Sequence, residues 1–268
     1  MSDGLIIDQL KKNQILDLLK EGKRVDGRQF DEPRKLTIDI GVIPKAEGSA
    51  RARLGDTEVV AGVKVQPERP FPDTGDKGML ICTAEILPIA HPSAETGPPQ
   101  PPVVELARVT DRGIRESGML DMKQLVLEKD KSVIGVFCDN AVTDHDGNLF
   151  DACSYASTAA INSCKIPKYE MQDEKPVKIE GEFIEPPITT LPVSVTMAKI
   201  GGFILVDPTI EEWGIMDARI TITSNSDGNV VALQKGGSDG FTQDELIQCA
   251  EISIKVGSKI REIIKESK

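Results

Sequence analysis

The hydrophobic positions of this chain follow two periods, one typical of strands and one typical of helices. Short β-like runs begin near residue 36 and return after residue 190, and a helical stretch follows each set. The predicted helices are Leu5–Lys20, Val103–Ser117, Asp151–Ser163 and about Thr242–Lys265. The predicted strands are Leu36–Ile43, Ala50–Leu54, Glu58–Gln66, Leu80–Leu87, about Ser132–Cys138, Val193–Ala198, Phe203–Val206, Arg219–Ser224 and Val230–Lys235.

Local signals mark the ends of these helices. The stretch Leu5–Lys20 carries its leucines and isoleucines broadly along one stripe and stops before Gly22, which suits a C-terminal cap. Pro102 is compatible with the first turn of the second helix. Thr242 with Glu245 three residues later forms a capping box for the last helix. The third helix, DACSYASTAAINS, is rich in small residues, which predicts close packing against a sheet.

Strands followed by a helix occur in each half, which predicts an α+β fold with two layers in a single integrated domain. Residues 1–22 form an N-terminal amphipathic extension in this interpretation, and residues 23–268 form the domain. Its first half covers about residues 34–164 and its second half about residues 190–265. The polar, proline-bearing stretch 165–187 is predicted to link them.

One segment, Ile204–Thr223, carries two apolar runs joined by an acidic turn. Side chains alternate along a strand, so carboxylates can hold a metal beside a substrate only from one parity of positions. Trp213 and Arg219 occupy positions of the same parity, where a pair of carboxylates could hold a metal. The four acids of the segment are Asp207, Glu211, Glu212 and Asp217. Taken by itself, the pattern favours a hairpin with a solvated acidic tip.

Composition restricts the class of protein and its partners. The chain has 268 residues, 39% apolar content and a net charge of −11, which allows a full core but opposes unaided association with a polyanion. No basic leader or membrane-spanning run is present in the sequence, so we expect a soluble, cytoplasmic protein with no membrane association. Five widely spaced cysteines predict reduced core residues, and only two histidines make a histidine-rich zinc site improbable.

Several motifs in a fixed order resemble the RNase PH superfamily. They are KRVDGRQFDEPR, AEGSARARLGDTEVVAGVKVQ, LARVTDRGIRESGMLD, DGNLFDA and VDPTIEEWGIMDARITIT. Within the superfamily, the pattern is most similar to the non-catalytic RNase PH-like subunits of archaeal exosomes. The resemblance implies an RNase PH-like fold, also described as ribosomal protein S5 domain 2-like, with mixed sheets packed against helices. It further implies a hexameric ring of three heterodimers with a catalytic RNase PH-like subunit, cap subunits of the S1/KH RNA-binding type, and 3′–5′ phosphorolytic decay of RNA.

The resemblance identifies two lost metal-ligand positions. Active relatives carry two aspartates, six residues apart, in the segment that matches Ile204–Thr223, and these aspartates bind a divalent cation. Alignment on Asp207 and Glu212 puts Trp213 and Arg219 at those positions. An indole cannot ligate magnesium and a guanidinium repels it, so we expect no metal and no cofactor here. A shift of the alignment by two residues would make Asp217 a ligand.

Two further catalytic devices of the active relatives are missing. Their phosphate-binding turn matches residues 147–153 here, where Asp151 is predicted to be the N-cap of the helix and to face any incoming anion. A like charge at about 4 Å costs about 4 kcal/mol at an effective dielectric of 20, so phosphate is not expected to bind. The RNA-facing arginines of active relatives match residues 91–99, which contain no lysine or arginine.

Basic residues elsewhere are candidates for RNA contact. Arg108, Arg112 and Arg115 share one face of the predicted helix, although Glu105 and Asp111 are spaced to neutralise them. The resemblance favours RNA binding at the partner's active site for Arg108 and Arg112 and leaves Arg115 open. Arg51 and Arg53 alternate along one strand and are a further candidate pair for the RNA path or the subunit interface.

The leading hypothesis is therefore a non-catalytic subunit that completes the active site of a catalytic partner and contacts RNA. The first alternative is an autonomous, phosphate-dependent 3′–5′ exoribonuclease that uses a divalent metal bound by Asp207, Glu211, Glu212 or Asp217. A second alternative is a scaffold that never touches RNA.

Overall fold

Two β-sheets and the helices packed on them account for most of the chain. The computed structural model describes residues 2–173 and 175–268. The helices are α1 (Ser2–Lys20), α2 (Pro101–Glu116), α3 (Leu149–Asn162), α4 (Ile210–Ile215) and α5 (Gln243–Glu266), with a 3-10 turn at Met122–Leu125. The strands are β1 (Leu36–Ile40), β2 (Gly48–Leu54), β3 (Thr57–Glu68), β4 (Met79–Ile86), β5 (Val126–Glu128), β6 (Ser132–Asp144), β7 (Ile166–Gln172), β8 (Lys175–Ile184), β9 (Val193–Ile200), β10 (Phe203–Val206), β11 (Ala218–Ser224) and β12 (Val230–Gly237).

The first sheet has the strand order β1-β2-β3-β6-β4, with β5 paired to β6. Only the β4–β6 pair is parallel. Helix α3 packs on β2 and β3 of this sheet, and every residue of α3 is buried. A Cβ added at Gly48 of β2 would lie 2.4 Å from the carbonyl oxygen of Ala160, so the absence of a side chain there permits the close approach. The small residues of α3 likewise allow this helix to lie close to the sheet, as predicted.

The second sheet has the order β10-β9-β11-β12, and all its neighbours are antiparallel. Helix α3 also packs on β9, and α5 packs on β9 and β11. The hydrophobic core therefore continues from the first sheet through α3 into the second sheet. Thr242 and Glu245 form the predicted capping box at the start of α5.

Helix α1 docks on the back of the second sheet. Ile15 and Leu19 are buried against Ala198, Ile200 and Leu205, which form a small second core. Leu10 is exposed, and the predicted stripe positions Leu5 and Ile7 have side chains that lie outside the described residues. The N-terminal helix itself is confirmed.

The stretch 165–187, predicted to link the two halves, contains an antiparallel hairpin of β7 and β8 that was not predicted. One local prediction is wrong. The segment Ile204–Thr223 is not a hairpin, because β10 and β11 each pair with β9, which lies between them. Helix α4 makes the crossover, and most of the predicted solvated tip is not solvated, since Asp207 and Glu212 are buried and only Glu211 among its acids is exposed. Strand β1 also ends early, at Ile40, because Gly41 has a φ of +71° and turns the chain.

No helix within the described ranges is long and apolar enough to cross a membrane. The five cysteines are buried and unpaired.

Candidate nucleic-acid interface

The two positions predicted to have lost metal ligands lie against each other. The rings of Trp213 and Phe150 are stacked, with centroids 5.9 Å apart and planes inclined by 26°. The guanidinium carbon of Arg219 lies 4.3 Å from the centroid of Phe150 and 5.4 Å from that of Trp213. A cation resting on two aromatic faces is a favourable arrangement that contains no metal-binding oxygen.

Arg219 is 5% exposed, and strand pairing explains how it fits. Its partner across β12 is Gly236, where an added Cβ would lie 2.7 Å from the guanidinium carbon. The absence of a side chain at Gly236 thus makes room for the guanidinium. Nη2 of Arg219 forms an ion pair with Oε2 of Glu105 at 2.7 Å, whereas Nη1 is buried and has no hydrogen-bond partner within the described residues.

The acids that could replace the missing ligands are engaged elsewhere. Asp217 pairs with Lys12 of α1 and accepts a hydrogen bond from the backbone N–H of Gly201. Glu212 pairs with Arg24 at 2.6 Å. Among residues 2–173 and 175–268, no three His, Cys, Asp or Glu side chains come together as a group that could hold a metal ion.

A buried polar centre lies beside residues 147–153, where the sequence predicts that a phosphate-binding turn has been lost. Arg34 binds both carboxylate oxygens of Asp207, at 2.8 and 2.9 Å. Burial acting alone would raise the pKa of Asp207, but the hydrogen bonds and charge of Arg34 outweigh it and hold that pKa below its usual range. Asn148 donates to Asp207 at 2.7 Å and to Asp151 at 2.8 Å, which joins the first turn of α3 to this centre.

The prediction that Asp151 is the N-cap of α3 is wrong. Asn148 is the N-cap, with a φ of +46°, and Asp151 lies in the first turn, where it points inward. Its carboxylate accepts hydrogen bonds from the backbone N–H of Thr196 at 2.9 Å and from the Thr196 hydroxyl at 2.7 Å. Burial raises the pKa of Asp151 to about 7, and the charge of Asp207 also acts upward, against the hydrogen bonds from Asn148 and Thr196.

The start of α3 is also closed sterically. Gly147 has a φ of +94°, and a Cβ at this position would lie 2.6 Å from the Thr209 carbonyl carbon and the Ile210 nitrogen. The loop that leads into α4 therefore covers the turn before α3. Backbone amides at such a turn can hold a phosphate only if the approach is open. Here Gly147 allows the turn before α3 to pack closely against the backbone of Thr209 and Ile210, and this packing closes the approach.

The predicted arginine face of α2 is present. Arg108, Arg112 and Arg115 are all exposed and line one side of an open groove of about 980 Å³ between α2 and the neighbouring strands. Within the described residues, Arg108 and Arg112 form no ion pair. Arg115 differs, because it pairs with Asp111 at 2.8 Å and donates to the carbonyl oxygen of Leu80 at 3.0 Å.

The other predicted basic pair is separate and neutralised. Arg51 and Arg53 point away from α3, on the opposite face of the first sheet from the buried residues Ala50 and Ala52. Glu58 pairs with Arg53 at 2.5 Å and with Arg51 at 3.9 Å. The structure does not bring these arginines to the arginine face of α2, and their contact with RNA stays a prediction.

The loop that lacks arginines encloses a second cavity of about 540 Å³. His91 and His145 meet there, with ring centroids 5.7 Å apart. His145 is half-buried, and burial, followed by the charge of His91, lowers its pKa.

Some residues that shape the site were not identified by sequence reasoning. Arg24 and Arg34 lie within the KRVDGRQFDEPR motif, and an arginine-rich motif beside an acidic segment is the signal that could have paired them. No local pattern indicates that Phe150 stacks on Trp213, because the two residues lie in different halves of the sequence.

Comparison with known families gives matches in both halves. The model for the 3′ exoribonuclease family, domain 1 (RNase PH), matches residues 32–167, and the model for domain 2 of the same family matches residues 190–256. A curated relative from Thermococcus gammatolerans, named exosome complex component Rrp42, is 45% identical over 268 residues, which cover 100% of this chain and 98% of the relative. A protein of the same name from Thermoplasma acidophilum is 46% identical over 257 residues, covering 96% of each.

Solved structures agree with these matches. One chain of a structure described as an Archaeoglobus fulgidus exosome with RNA bound to the active site superposes with a TM-score of 0.88 at 45% identity, covering 96% of this chain and 98% of that one. A chain of an archaeal exosome core gives a TM-score of 0.85 at 42% identity, with coverages of 97% and 98%. Rice Rrp46, at 17% identity and a TM-score of 0.69, shares the fold.

Proposed function

Because this chain belongs to the 3′ exoribonuclease (RNase PH) family, we propose that it is a non-catalytic, RNA-contacting subunit of an exosome ring. It pairs with a catalytic RNase PH-like subunit, helps to shape that subunit's active site and contributes arginines to RNA binding during 3′–5′ phosphorolytic decay. The proposal extends to a ring of three such heterodimers with S1/KH-type cap subunits, acting in the cytoplasm.

The observation that carries the proposal is the stack of Phe150, Trp213 and Arg219. A divalent cation in a phosphorolytic site needs carboxylate oxygens beside the reacting phosphate. The stack instead supplies two aromatic faces and a fixed positive charge. Arg219 would repel a magnesium ion at this position. The chain therefore lacks a divalent cation site that could stabilise the negative charge of the reacting phosphate.

The buried polar centre supports the same conclusion from an independent site. Asp151 carries a carboxylate at the first turn of α3, and Gly147 packs under the loop that leads into α4. An attacking phosphate would meet a closed backbone and two acids, Asp151 and Asp207. Loss of the metal position and loss of the phosphate position together favour a subunit that performs no chemistry.

RNA contact is supported by the free cations on α2. Arg108 and Arg112 are exposed, lie one helical turn apart and have no ion-pair partner within the described residues. An unpaired guanidinium can bind a phosphate of single-stranded RNA in a bidentate manner. Arg51, Arg53 and Arg115 have acidic partners, so we propose a weaker contribution for them.

The net charge of −11 supports a shared RNA site rather than an autonomous one. Long-range repulsion opposes capture of RNA by the isolated chain, and a local basic face becomes effective when a partner supplies the rest of the binding path. The relatives named exosome components and the exosome structures with high TM-scores support assembly with such a partner.

The proposal is tested by phosphorolysis assays on the purified chain and on its complex with the catalytic homologue from the same organism. With poly(A), magnesium and inorganic phosphate, the isolated chain should release no nucleoside diphosphate, and the complex should release it steadily. Sustained release by a preparation free of the partner would contradict the proposal. Co-purification as a heteromer of defined mass tests the partnership itself.

The alternative of an autonomous exoribonuclease has little structural support. It needs Asp207, Glu211, Glu212 or Asp217 to gather around a metal, but three of these acids are held by arginine or lysine side chains. Only Glu211 has an exposed side chain without such a partner in the described part of the chain.

A further inference from the structure

One acid on α2 pairs with a buried arginine instead of its own helical neighbour. Glu105 lies three residues before Arg108, a spacing at which a carboxylate and a guanidinium on a helix surface commonly meet. The structure joins Glu105 Oε2 to Arg219 Nη2 at 2.7 Å instead. Gln234 donates a hydrogen bond to the other carboxylate oxygen at 3.1 Å. Both oxygens of Glu105 thus point toward β11 and β12 and not toward Arg108.

The strength of this contact follows from burial. The Arg219 side chain is 6% exposed and rests on two aromatic rings, so it is held in one orientation. A buried guanidinium is costly without a counter-charge, and Glu105 is the acid that forms an ion pair with it. The competing pair with Arg108 would be exposed, screened by salt and worth little. Glu105 therefore pairs with Arg219 rather than with Arg108.

The second acid within reach of Arg108 is also occupied. Asp111 lies three residues after Arg108 and pairs with Arg115 at 2.8 Å, while it accepts a hydrogen bond from the backbone N–H of Cys82 at 3.3 Å. Two carboxylates that the helical spacing offers to Arg108 are thus held by other partners. This arrangement leaves a free guanidinium at the edge of the groove.

We infer that Arg219 is a positioning residue for RNA binding: it holds Glu105 away from Arg108 and so leaves Arg108 free for a phosphate of the RNA. The inference rests on the proposed function, because it needs Arg108 to bind RNA. It assigns a positive role to a residue that otherwise marks only the loss of a metal ligand.

The test is equilibrium binding of a fluorescent single-stranded poly(A) oligonucleotide to the reconstituted complex, without phosphate so that the RNA is not consumed. In Arg219→Met, the aliphatic replacement leaves Glu105 free to pair with Arg108. We expect RNA affinity about two- to fivefold lower at low salt, and a smaller salt dependence of binding. Arg219→Lys keeps a positive charge beside Glu105 and should retain most of the affinity.

Glu105→Gln in the Arg219→Met background removes the competing acid and should restore the affinity. Glu116→Gln in the same background is the matched control, because it makes the same change of net charge at another acid that lines the groove. It should not restore binding. Equal rescue by both would mean that net charge alone decides, and the inference would be wrong.

Arg108→Gln separates this inference from the proposed function. If Arg108→Gln leaves binding unchanged, the proposed RNA contact itself fails. If it weakens binding, adding Arg219→Met should cause no further loss, since Glu105 then has no arginine to neutralise. A full additional loss would show that Arg219 acts through another route and would overturn the inference.

A second measurement keeps the inference falsifiable if Arg219→Met does not assemble, as judged by thermal unfolding and the mass of the complex. In the background with Arg219 intact, Glu105→Gln should raise RNA affinity no more than Glu116→Gln does. A gain several times larger would mean that Glu105 already neutralises Arg108, contrary to the inference.

Discussion

Arg24 and Glu212 form a two-point ion pair in the interior, with Nη2 to Oε2 at 2.6 Å and Nε to Oε1 at 2.9 Å. Both side chains are essentially unexposed. Arg24 also donates to the backbone carbonyl oxygens of Val206 and Asp207, at 2.9 and 3.1 Å. The pair thereby fixes the segment after α1 to the crossover between β10 and β11.

The first prediction concerns the stability of this link. Arg24→Met should lower the free energy of unfolding by about 3–5 kcal/mol, because it leaves the Glu212 carboxylate buried without its counter-charge. The double variant Arg24→Met with Glu212→Leu should be less destabilised than the single variant, since no unpaired charge remains. Urea unfolding followed by circular dichroism measures both. Lys255→Met is the control, because its pair with Asp31 is exposed and should contribute at most about 1 kcal/mol.

A second prediction follows from the raised pKa of Asp151. The folded protein holds the Asp151 proton up to about pH 7, whereas the unfolded chain releases it near pH 4. Its contribution to stability is therefore fully present below about pH 4 and is lost as the pH rises toward 7, by at most about 4 kcal/mol. Asp207 has a lowered pKa, so its contribution is lost only at more acidic pH.

Asp151→Asn should remove this loss, because the amide resembles the protonated acid and can still bond with Thr196 and Asn148. Urea unfolding at pH 5 and pH 7 should show the unmodified protein losing more stability than the variant between the two values. Burial lowers the pKa of His145, so His145 makes the folded state more stable as the pH rises from 5 to 7, opposite to Asp151. Both proteins contain His145, so its effect cancels when their pH profiles are compared. Asp73→Asn, in an exposed loop, is the control. Parallel pH profiles for Asp151→Asn and the unmodified protein would contradict the assignment.

The long helices and most of the strands could be predicted from local patterns because apolar spacing and caps carry that information, whereas β5, β7 and β8 were not predicted. Thr242 with Glu245 defined the start of α5, and the small residues of α3 indicated close packing. The crossover at α4 could not be predicted in this way. Its acids look solvated in sequence, and only the distant arginines Arg24 and Arg34 allow Asp207 and Glu212 to be buried.

The same distinction applies to the candidate site. The exposed arginines of α2 followed from helical spacing, and Trp213 and Arg219 followed from the family motif. The inward direction of Asp151 could not be predicted, because it depends on Thr196 in β9, 45 residues later. The partner of Glu105 could not be predicted either. Helical spacing favours Arg108, whereas burial of Arg219 makes Arg219 the partner.

A third prediction compares the two sets of candidate RNA-binding arginines. In the reconstituted complex, Arg108→Gln with Arg112→Gln should weaken RNA binding and reduce the slope of log affinity against log salt by about 1 to 1.5, as expected for two lost phosphate contacts on a single strand. Arg51→Gln with Arg53→Gln should change the slope less, because Glu58 already neutralises these residues. Salt titrations with a fluorescent poly(A) oligonucleotide measure both. Identical slopes for the α2 variant and the unmodified complex would favour a scaffold that does not touch RNA.

The last prediction concerns Gly147, where two backbone segments pack without a side chain between them. Gly147→Ala should be strongly destabilising for two reasons: its φ of +94° disfavours an L-residue, and the new Cβ would lie 2.6 Å from the backbone of Thr209 and Ile210. Gly118→Ala isolates the first effect, because Gly118 has a φ of +67° and no atom within 4 Å of an added Cβ. Gly118→Ala should cost about 1–2 kcal/mol, the usual penalty for this conformation, and Gly147→Ala should cost clearly more in urea unfolding. Equal costs would mean that the α4 loop can move aside, and the start of α3 would then be open enough for an anion to approach.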